Sequence, residues 1–526
     1  MSGRRPVPVP AVPVDVRHVL DAALAARPDH PALVGRDRRL TYAELDAEAE
    51  AAAAALAALG VGPGDRVAAS LPNDTDVVVA FHGVMRLGAV WVGLNQLLTP
   101  AERSALLADC GARLFLCDPP TAPTGAPPAV EHVVVTGTPV AAGPSWHELL
   151  GAQRGSAPPR PRIDPDAPAA IAYTSGTTGR PKGVVHSQAG LLLPGAATVA
   201  SRRYGPELCK GDCLALTILN LLVLSTLLVA QAQGTCVVMD RRDPAGIAEW
   251  IRTERVTTWN GVPAMLYDLV HDDTVARGDL ESLDDVWSGG APCPESLRRA
   301  FEEKFGHRLH TTYGLTEAPT LVAIEDRHTP SPPGSSGRLL PHLAVTVLGP
   351  AGAEAAPGDS GEICVGPPDD PGWAPRFRTM LGYWHEAQVG APPPADGLLH
   401  TGDVGTLDDE GNLFVLDRLD LLILRGGANV YPSEVEAVLA GFPGVRGCCV
   451  LGVPDERLGE QVVAVLEVDD GFAAPGEDGD PAPALRRWCT ERLARYKVPD
   501  RFEFHRRLPR NAMGKVRRDV LAELVG

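Results

Sequence analysis

The run YTSGTTGRPKGV, Tyr173 to Val184, holds the densest chemistry in this chain. It sets hydroxyls (Thr174, Ser175, Thr177, Thr178) and glycines (Gly176, Gly179, Gly183) around one lysine, Lys182. Glycines let a backbone turn tightly and bring its N–H groups close to an anion. Hydroxyls add donors, and a lysine adds a mobile positive charge. Together they can grip phosphate. The run is not a Walker A loop, because GxxxxGK[ST] needs glycine where Pro181 stands and a hydroxyl residue where Gly183 stands. The plainer alternative is a polar hairpin turn, but a turn needs only one or two such hydroxyls.

Four further runs follow in order: YGLTE (313–317), TGD (401–403), DRLDLLILRGGANVYPSEVE (417–436) and PRNAMGKVRR (509–518). With the first loop they resemble the AMP-forming adenylating enzymes. That superfamily holds acyl- and aryl-CoA synthetases, carrier-protein-loading adenylation domains and luciferases. The resemblance runs from LTYAEL (40–45) to Lys515. It implies an α/β fold: a large N-terminal domain of helix-covered, mostly parallel sheets plus a β-rich subdomain, then a small mobile α+β C-terminal domain. The expected N-terminal domain is 1–418, the hinge 419–421 and the C-terminal domain 422–526.

Attaching AMP to a carboxylate requires a carboxylate oxygen to attack the α-phosphate in line as magnesium pyrophosphate leaves. Two anions must meet, so the site needs positive charge there. By the resemblance, Thr174, Ser175, Gly176, Thr177, Thr178, Gly179 and Lys182 wrap the β- and γ-phosphates. Glu317 holds Mg2+ through a hard oxygen, with Thr174 beside it. Tyr313 lies against adenine in a nucleotide site that includes Gly290, Ala291, Pro292, Thr312 and Gly314, and Thr316 contacts the α-phosphate. Asp403 and Arg418 reach the ribose. Lys515 bridges the acyl carboxylate and the α-phosphate, completing a catalytic set with Glu317 and Thr174. For the second half-reaction the small domain turns about Asp420, and Gly426 and Gly427 line a tunnel for pantetheine. ATP, Mg2+ and CoA are thus the implied cofactors. Taken alone, Lys515 reads as a solvated lysine, and Glu317 and Asp403 as cap and turn residues.

The acid pocket implied by the resemblance uses Asn220, Val262, Gly289, Gly314 and Leu315. Here the sequence departs from the family. PLFH is common in the buried segment, whereas this chain has Thr217-Ile218-Leu219-Asn220. An amide replaces a titratable ring, so the pocket is expected to be roomier or differently polar. The hinge, Arg418-Leu419-Asp420-Leu421, also departs from the usual charged pattern. Between 214 and 239 no arginine or lysine is available for a second carboxylate, and His310 is one polar candidate on the other walls. The expected substrate is a small carboxylic acid, aromatic or medium-chain, and least of all a dicarboxylate. The expected reaction is ATP-dependent formation of an acyl adenylate followed by transfer to CoA. The same adenylation could instead load a carrier protein or activate nitrite to diazotise an aryl amine. A nucleotide-binding regulator without catalysis is the other class.

The elements that must position these residues are legible in outline. A chain of 526 residues is long enough for several core-forming units of ~100–200 residues each. Lysine plus arginine number 48 against 66 acidic residues, giving a net charge of −18 that repels nucleic acid and anionic lipid. The RRLPRNAMGKVRR tail (506–518) is the largest basic cluster, suggesting a phosphate-rich small ligand. The ten cysteines are scattered. Cys209 and Cys213 lack a histidine or second pair to complete a zinc site, and a reducing cytoplasm fits. Prolines interrupt the first fourteen residues, against a signal peptide. The uncharged stretch 213–239 is long enough for a membrane span, but its polar interruptions favour a strand (214–218), a buried helix (about 221–232) and a strand (235–239). No stable membrane insertion is expected, and monomer or homodimer both remain open.

Thr41 and Glu44 stand at capping-box spacing before a helix that Gly60 stops. Apolar runs at 66–71 and 113–117 alternate with a helical pattern at 101–111, pointing to parallel sheets under helices. Residues 118–168 read as a surface connection, 171–325 as a second α/β region and 337–418 as β-rich with an insertion at 366–398.

Overall fold

Helix Tyr42–Ala58 shows how the helices of this chain pack. Thr41 Oγ1 accepts from the Glu44 N–H at 3.2 Å and Glu44 Oε2 accepts from the Thr41 N–H at 2.8 Å, the reciprocal cap expected from sequence. Its buried alanines leave room for helix Thr75–Arg86. A Cβ added to Gly83 of that helix would come within 2.6 Å of Ala52 Cβ. Small side chains therefore set the spacing between these two helices.

The computed structural model describes residues 7–123, 127, 130–137, 144–174, 181–385, 388–390, 397–469, 472, 480–510 and 516–525. They fall into two units. The first comprises Met1–Ala291, Leu297–Val345 and Cys364–His400, and the second Pro292–Ser296, Thr346–Ile363 and Thr401–Gly526. The division runs through the strands Ala344–Leu348, Gly361–Gly366 and Leu399–Leu407.

Among the described residues the first unit contains an eight-stranded and a nine-stranded sheet. In the former, Arg66–Ser70, Val90–Gly93, Leu114–Cys117, His132–Val135 and Pro168–Thr174 run parallel to their neighbours in this set. Strands such as Leu114–Cys117 are apolar throughout and fully buried, as parallel strands under helices must be. Lys182–Ser187 and then Gly382–His385 add antiparallel to the end of this sheet. In the nine-stranded sheet, Thr235–Val238, Cys209–Asp212, Thr258–Gly261, Asp285–Ser288 and Leu309–Tyr313 form a continuous parallel run.

The second unit has an α+β core. Strands Ile423–Arg425, Ala428–Val430, Val445–Asp455, Gly459–Val468 and Arg501–His505 form one sheet. Helices Pro432–Ala440 and Ala482–Thr490 bury Val435, Leu439 and Leu485 with Val450, Val462 and Leu466 of the strands.

Several sequence expectations shift. The strand expected at 214–218 lies at Cys209–Asp212, where Lys210 and Asp212 are buried as a pair with Nζ 3.3 Å from Oδ2. The connection at 118–168 contains strand His132–Val135 and helix Trp146–Gln153, anchored by the fully buried Trp146. The insertion at 366–398 contains strand Gly382–His385. The buried helix expected near 221–232 is present, but Val223–Leu227 forms a π turn within it. No helix among the described residues is long and apolar enough to cross a membrane.

Candidate active site

In open α/β sheets, ligands bind outside the carboxyl ends of the strands. Four adjacent parallel strands of the nine-stranded sheet run out into the candidate residues. Leu309–Tyr313 continues into Gly314, Leu315, Thr316 and Glu317, and Asp285–Ser288 into Gly289, Gly290 and Ala291. Thr258–Gly261 continues into Val262, and Cys209–Asp212 into the segment that reaches Asn220.

Close backbone approaches fix these loops. A Cβ on Gly314 would lie 1.7 Å from the Thr320 carbonyl oxygen, and one on Gly289 would lie 2.4 Å from Thr312 Oγ1. Thr312 Oγ1 itself donates to the Ser288 carbonyl at 3.2 Å. Thr320 is buried with φ +74°, a conformation that costs a β-branched residue about 1–3 kcal/mol. Its N–H turns back to donate to the Leu315 carbonyl at 3.1 Å, closing the turn that carries Thr316 and Glu317. Asn220 Nδ2 donates to Thr316 Oγ1 at 3.3 Å. The backbone leading to Asn220 is clamped as well, because a Cβ on Gly93 would lie 1.7 Å from the Thr217 carbonyl oxygen.

Glu317 is held from one side. Its Oε1 accepts from the Tyr383 hydroxyl at 3.1 Å, and its backbone carbonyl accepts from the Met380 N–H at 2.8 Å. Among the described residues Oε2 accepts no hydrogen bond. A half-buried carboxylate with one oxygen anchored and the other open suits a hard cation such as Mg2+. Thr174 ends its strand with Oγ1 3.5 Å from the Lys182 carbonyl, and Lys182 opens the next strand, exposed. Ser175, Gly176, Thr177, Thr178, Gly179 and Lys515 lie outside the described residues.

In the second unit Asp403 and Arg418 are cross-strand neighbours, with Arg418 Nη1 3.1 Å from Asp403 Oδ1. Arg418 Nε is 3.7 Å from Asp420, which stands in the 3-10 turn Leu419–Leu421. Gly426 (φ +59°) and Gly427 (φ +82°) form the exposed two-residue hairpin between Ile423–Arg425 and Ala428–Val430. Positive φ at both positions is what such a hairpin requires. Pro292 is exposed. The basic tail is less free than its sequence suggests: Arg510 pairs with Glu467, Arg517 with Asp519 and Arg518 with Glu436.

A buried polar layer on one face of the nine-stranded sheet escaped the sequence reading. Lys210 Nζ donates to Asn260 Oδ1 at 2.5 Å as well as facing Asp212, whose Oδ2 also accepts from Ser225 of the π turn at 2.8 Å. Lys210 Nζ and Arg202 Cζ both lie over Trp287, 5.5 and 5.6 Å from its ring centroid. Arg202 pairs with the fully buried Asp285. Burial alone would raise the Asp285 carboxyl, but hydrogen bonds from His310 and Arg202 hold it well below the usual carboxylate range. His310, expected as a polar candidate in the acid pocket, is buried with Nδ1 2.9 Å from Asp285 Oδ1. The available signal was the i, i+2 spacing of Lys210 and Asp212, which puts both on one strand face. Lys210→Met should lower unfolding stability by about 3–5 kcal/mol, because Asp212 stays buried without its cation. Urea denaturation tests this, and a loss under about 1 kcal/mol would show that Ser225 and the backbone suffice.

Comparison with known proteins agrees with this layout. The AMP-binding enzyme family matches residues 20–384, and the AMP-binding enzyme C-terminal domain matches 434–515. A feruloyl-CoA synthase of Amycolatopsis is 36% identical over 481 residues, 91% of this chain and 92% of that protein. A fatty acid–[acyl-carrier-protein] ligase of Streptomyces coeruleorubidus is 34% identical over 509 residues, 94% of this chain and 93% of its own length. The crystal structure of the anthranilate CoA ligase AuaEII with anthranoyl-AMP superposes with a TM-score of 0.85 at 25% identity, covering 98% of both chains. Strand ends, ordered motifs and full-length relatives therefore agree that this chain belongs to the AMP-binding enzymes, the AMP-forming adenylating superfamily.

Proposed function

We propose that this AMP-forming acid–thiol ligase takes an aromatic carboxylic acid that carries a hydrogen-bond donor. The general reaction is ATP-dependent: a carboxylate is activated as its acyl adenylate and passed to CoA, with Mg2+ accompanying ATP. The observation that carries the reading is the gathering of Thr316, Glu317, Gly289 and Val262 just beyond the carboxyl ends of neighbouring parallel strands, with Asn220 of helix Leu219–Leu222 bonded to Thr316. With its amide nitrogen turned to Thr316, Asn220 leaves Oδ1 as an acceptor for a substrate hydroxyl or amine. The feruloyl-CoA synthase and the anthranilate CoA ligase are both named for aromatic acids, which supports this class.

In the first step a carboxylate oxygen attacks the α-phosphorus, the bond to the bridging oxygen breaks and pyrophosphate leaves. We assign Thr174 and Lys182 to the β- and γ-phosphates, Thr316 to the α-phosphate and Lys515 to the charge that builds between the two anions. Tyr313 is assigned to the adenine. Glu317 is the residue that would hold Mg2+, which when bound neutralises the charge of the phosphates. Asp403 and Arg418 are assigned to the ribose, Asp420 to the hinge, and Gly426 and Gly427 to the passage of the pantetheine arm. In the second step the CoA sulfur attacks the acyl carbon and AMP leaves.

The test incubates the enzyme with ATP, Mg2+, CoA and a panel of acids, and identifies the products. AMP, pyrophosphate and a thioester are expected, with hydroxy- or amino-substituted aromatic acids turned over best. Steady formation of ADP and phosphate would overturn the reaction. A preference for medium-chain acids would overturn the substrate class alone. Asn220→Leu should erase the advantage of the substituted acids while leaving ATP affinity unchanged, because a site built for a polar group discriminates through that group.

A further inference from the structure

Strand Gly382–His385 lies in a stretch whose sequence reads as an insertion, yet one of its side chains touches both ends of the candidate nucleotide site. Tyr383 donates its hydroxyl to Glu317 Oε1 at 3.1 Å, and its ring lies under Lys182, with Nζ 5.5 Å from the centroid. The strand is held firmly enough to act as a support. Tyr383 pairs with Val184 and Trp384 with Gly183, antiparallel to the strand that Lys182 opens. Gly183 permits that approach, since a Cβ there would meet Trp384 Cβ at 3.0 Å. On the other side the Met380 N–H holds the Glu317 carbonyl at 2.8 Å, so backbone and side chain grip the same residue.

We infer that Tyr383 is a positioning residue that aligns the metal-binding carboxylate with the phosphate-loop lysine. The inference rests on the reading of Glu317 as the Mg2+ carboxylate. The hydroxyl bond selects one orientation of that carboxylate and leaves Oε2 as the oxygen that would hold the cation. The ring face attracts the ammonium of Lys182 through its quadrupole and limits where a flexible side chain can reach. One side chain thus sets two charged groups of opposite sign, one for the metal and one for the phosphates. Its hydroxyl and its ring have separable duties.

Calorimetric titration of ATP into the full-length protein, once with Mg2+ and once with EDTA, separates them. Tyr383→Phe keeps the ring and loses the hydroxyl. It should reduce the magnesium-dependent gain in ATP affinity about tenfold, while affinity in EDTA and the melting temperature stay near wild type. Tyr383→Leu loses both and should also weaken ATP binding in EDTA. A wild-type protein with no magnesium-dependent gain would overturn the reading of Glu317, and this inference with it. A wild-type gain that Tyr383→Phe fully retains would overturn the role of Tyr383 alone. Equal behaviour of the Phe and Leu variants would remove the ring's part, and a lowered melting temperature with unchanged binding would reduce Tyr383 to a packing residue.

Discussion

Replacing Lys515 with alanine is expected to slow acyl-adenylate formation by on the order of 100-fold or more, while thioester formation from a preformed adenylate stays close to wild type. The carboxylate and the α-phosphate repel each other until the pentacoordinate transition state, and a point charge placed there stabilises that state alone. In the second half-reaction the attacked centre is the acyl carbon, and the lysine has no such work to do. Pyrophosphate exchange reports the first step, and mixing purified acyl adenylate with CoA reports the second. Equal damage to both would mean that Lys515 supports the fold or binds nucleotide throughout, and the proposed alternation about Asp420 would lose its main support.

Gly314→Ala should reduce adenylation by about 100-fold, for a reason that lies wholly in the backbone. The added methyl would sit 1.7 Å from the Thr320 carbonyl oxygen and 3.0 Å from Leu321 Cα, so no rotamer change can accommodate it. The turn has to open, and Thr316 and Glu317 move with it. Displacement of positioning groups by ~1 Å is enough for a loss of that size. Pyrophosphate exchange at saturating ATP measures it, and near-normal exchange would show that the turn is far more tolerant than its contacts imply. Thr320 already carries strain at φ +74°, so little slack remains to absorb the change.

Side chains that act through their own type were legible in the sequence. The hydroxyls and Lys182 of the first loop, and the YGLTE and TGD runs, identify a nucleotide enzyme by composition and order. Elements whose role depends on partners far away in sequence were not. The strand Cys209–Asp212 looks too charged to be buried, and it is Asn260, Ser225, the Leu214 N–H and the Trp287 ring around Lys210 and Asp212 that make that burial affordable. Tyr383 sits in a proline- and glycine-rich stretch, and nothing local shows that its strand joins Lys182–Ser187 across nearly two hundred residues. The π turn at Val223–Leu227 escaped for another reason: its Ser225 and Thr226 are buried like the leucines around them, so no exposed face marks the periodicity that an extra residue would shift. Asn220 is an intermediate case. Its departure from the family pattern was visible, while its bond to Thr316 needed three dimensions.

The contact at Gly93 bears on how this enzyme could be re-engineered. It fixes the main chain at Thr217, three residues before Asn220, through backbone rather than side-chain packing. Asn220 itself is only half-buried and gives up a single 3.3 Å hydrogen bond when replaced. With Asn220 in the acid pocket as proposed, diversifying that position should alter the chemistry presented to the acid while the polypeptide path stays put. A combinatorial library over Asn220, Val262 and Leu315, with Gly93 and Gly314 held constant, would search acid selectivity on a scaffold that does not drift.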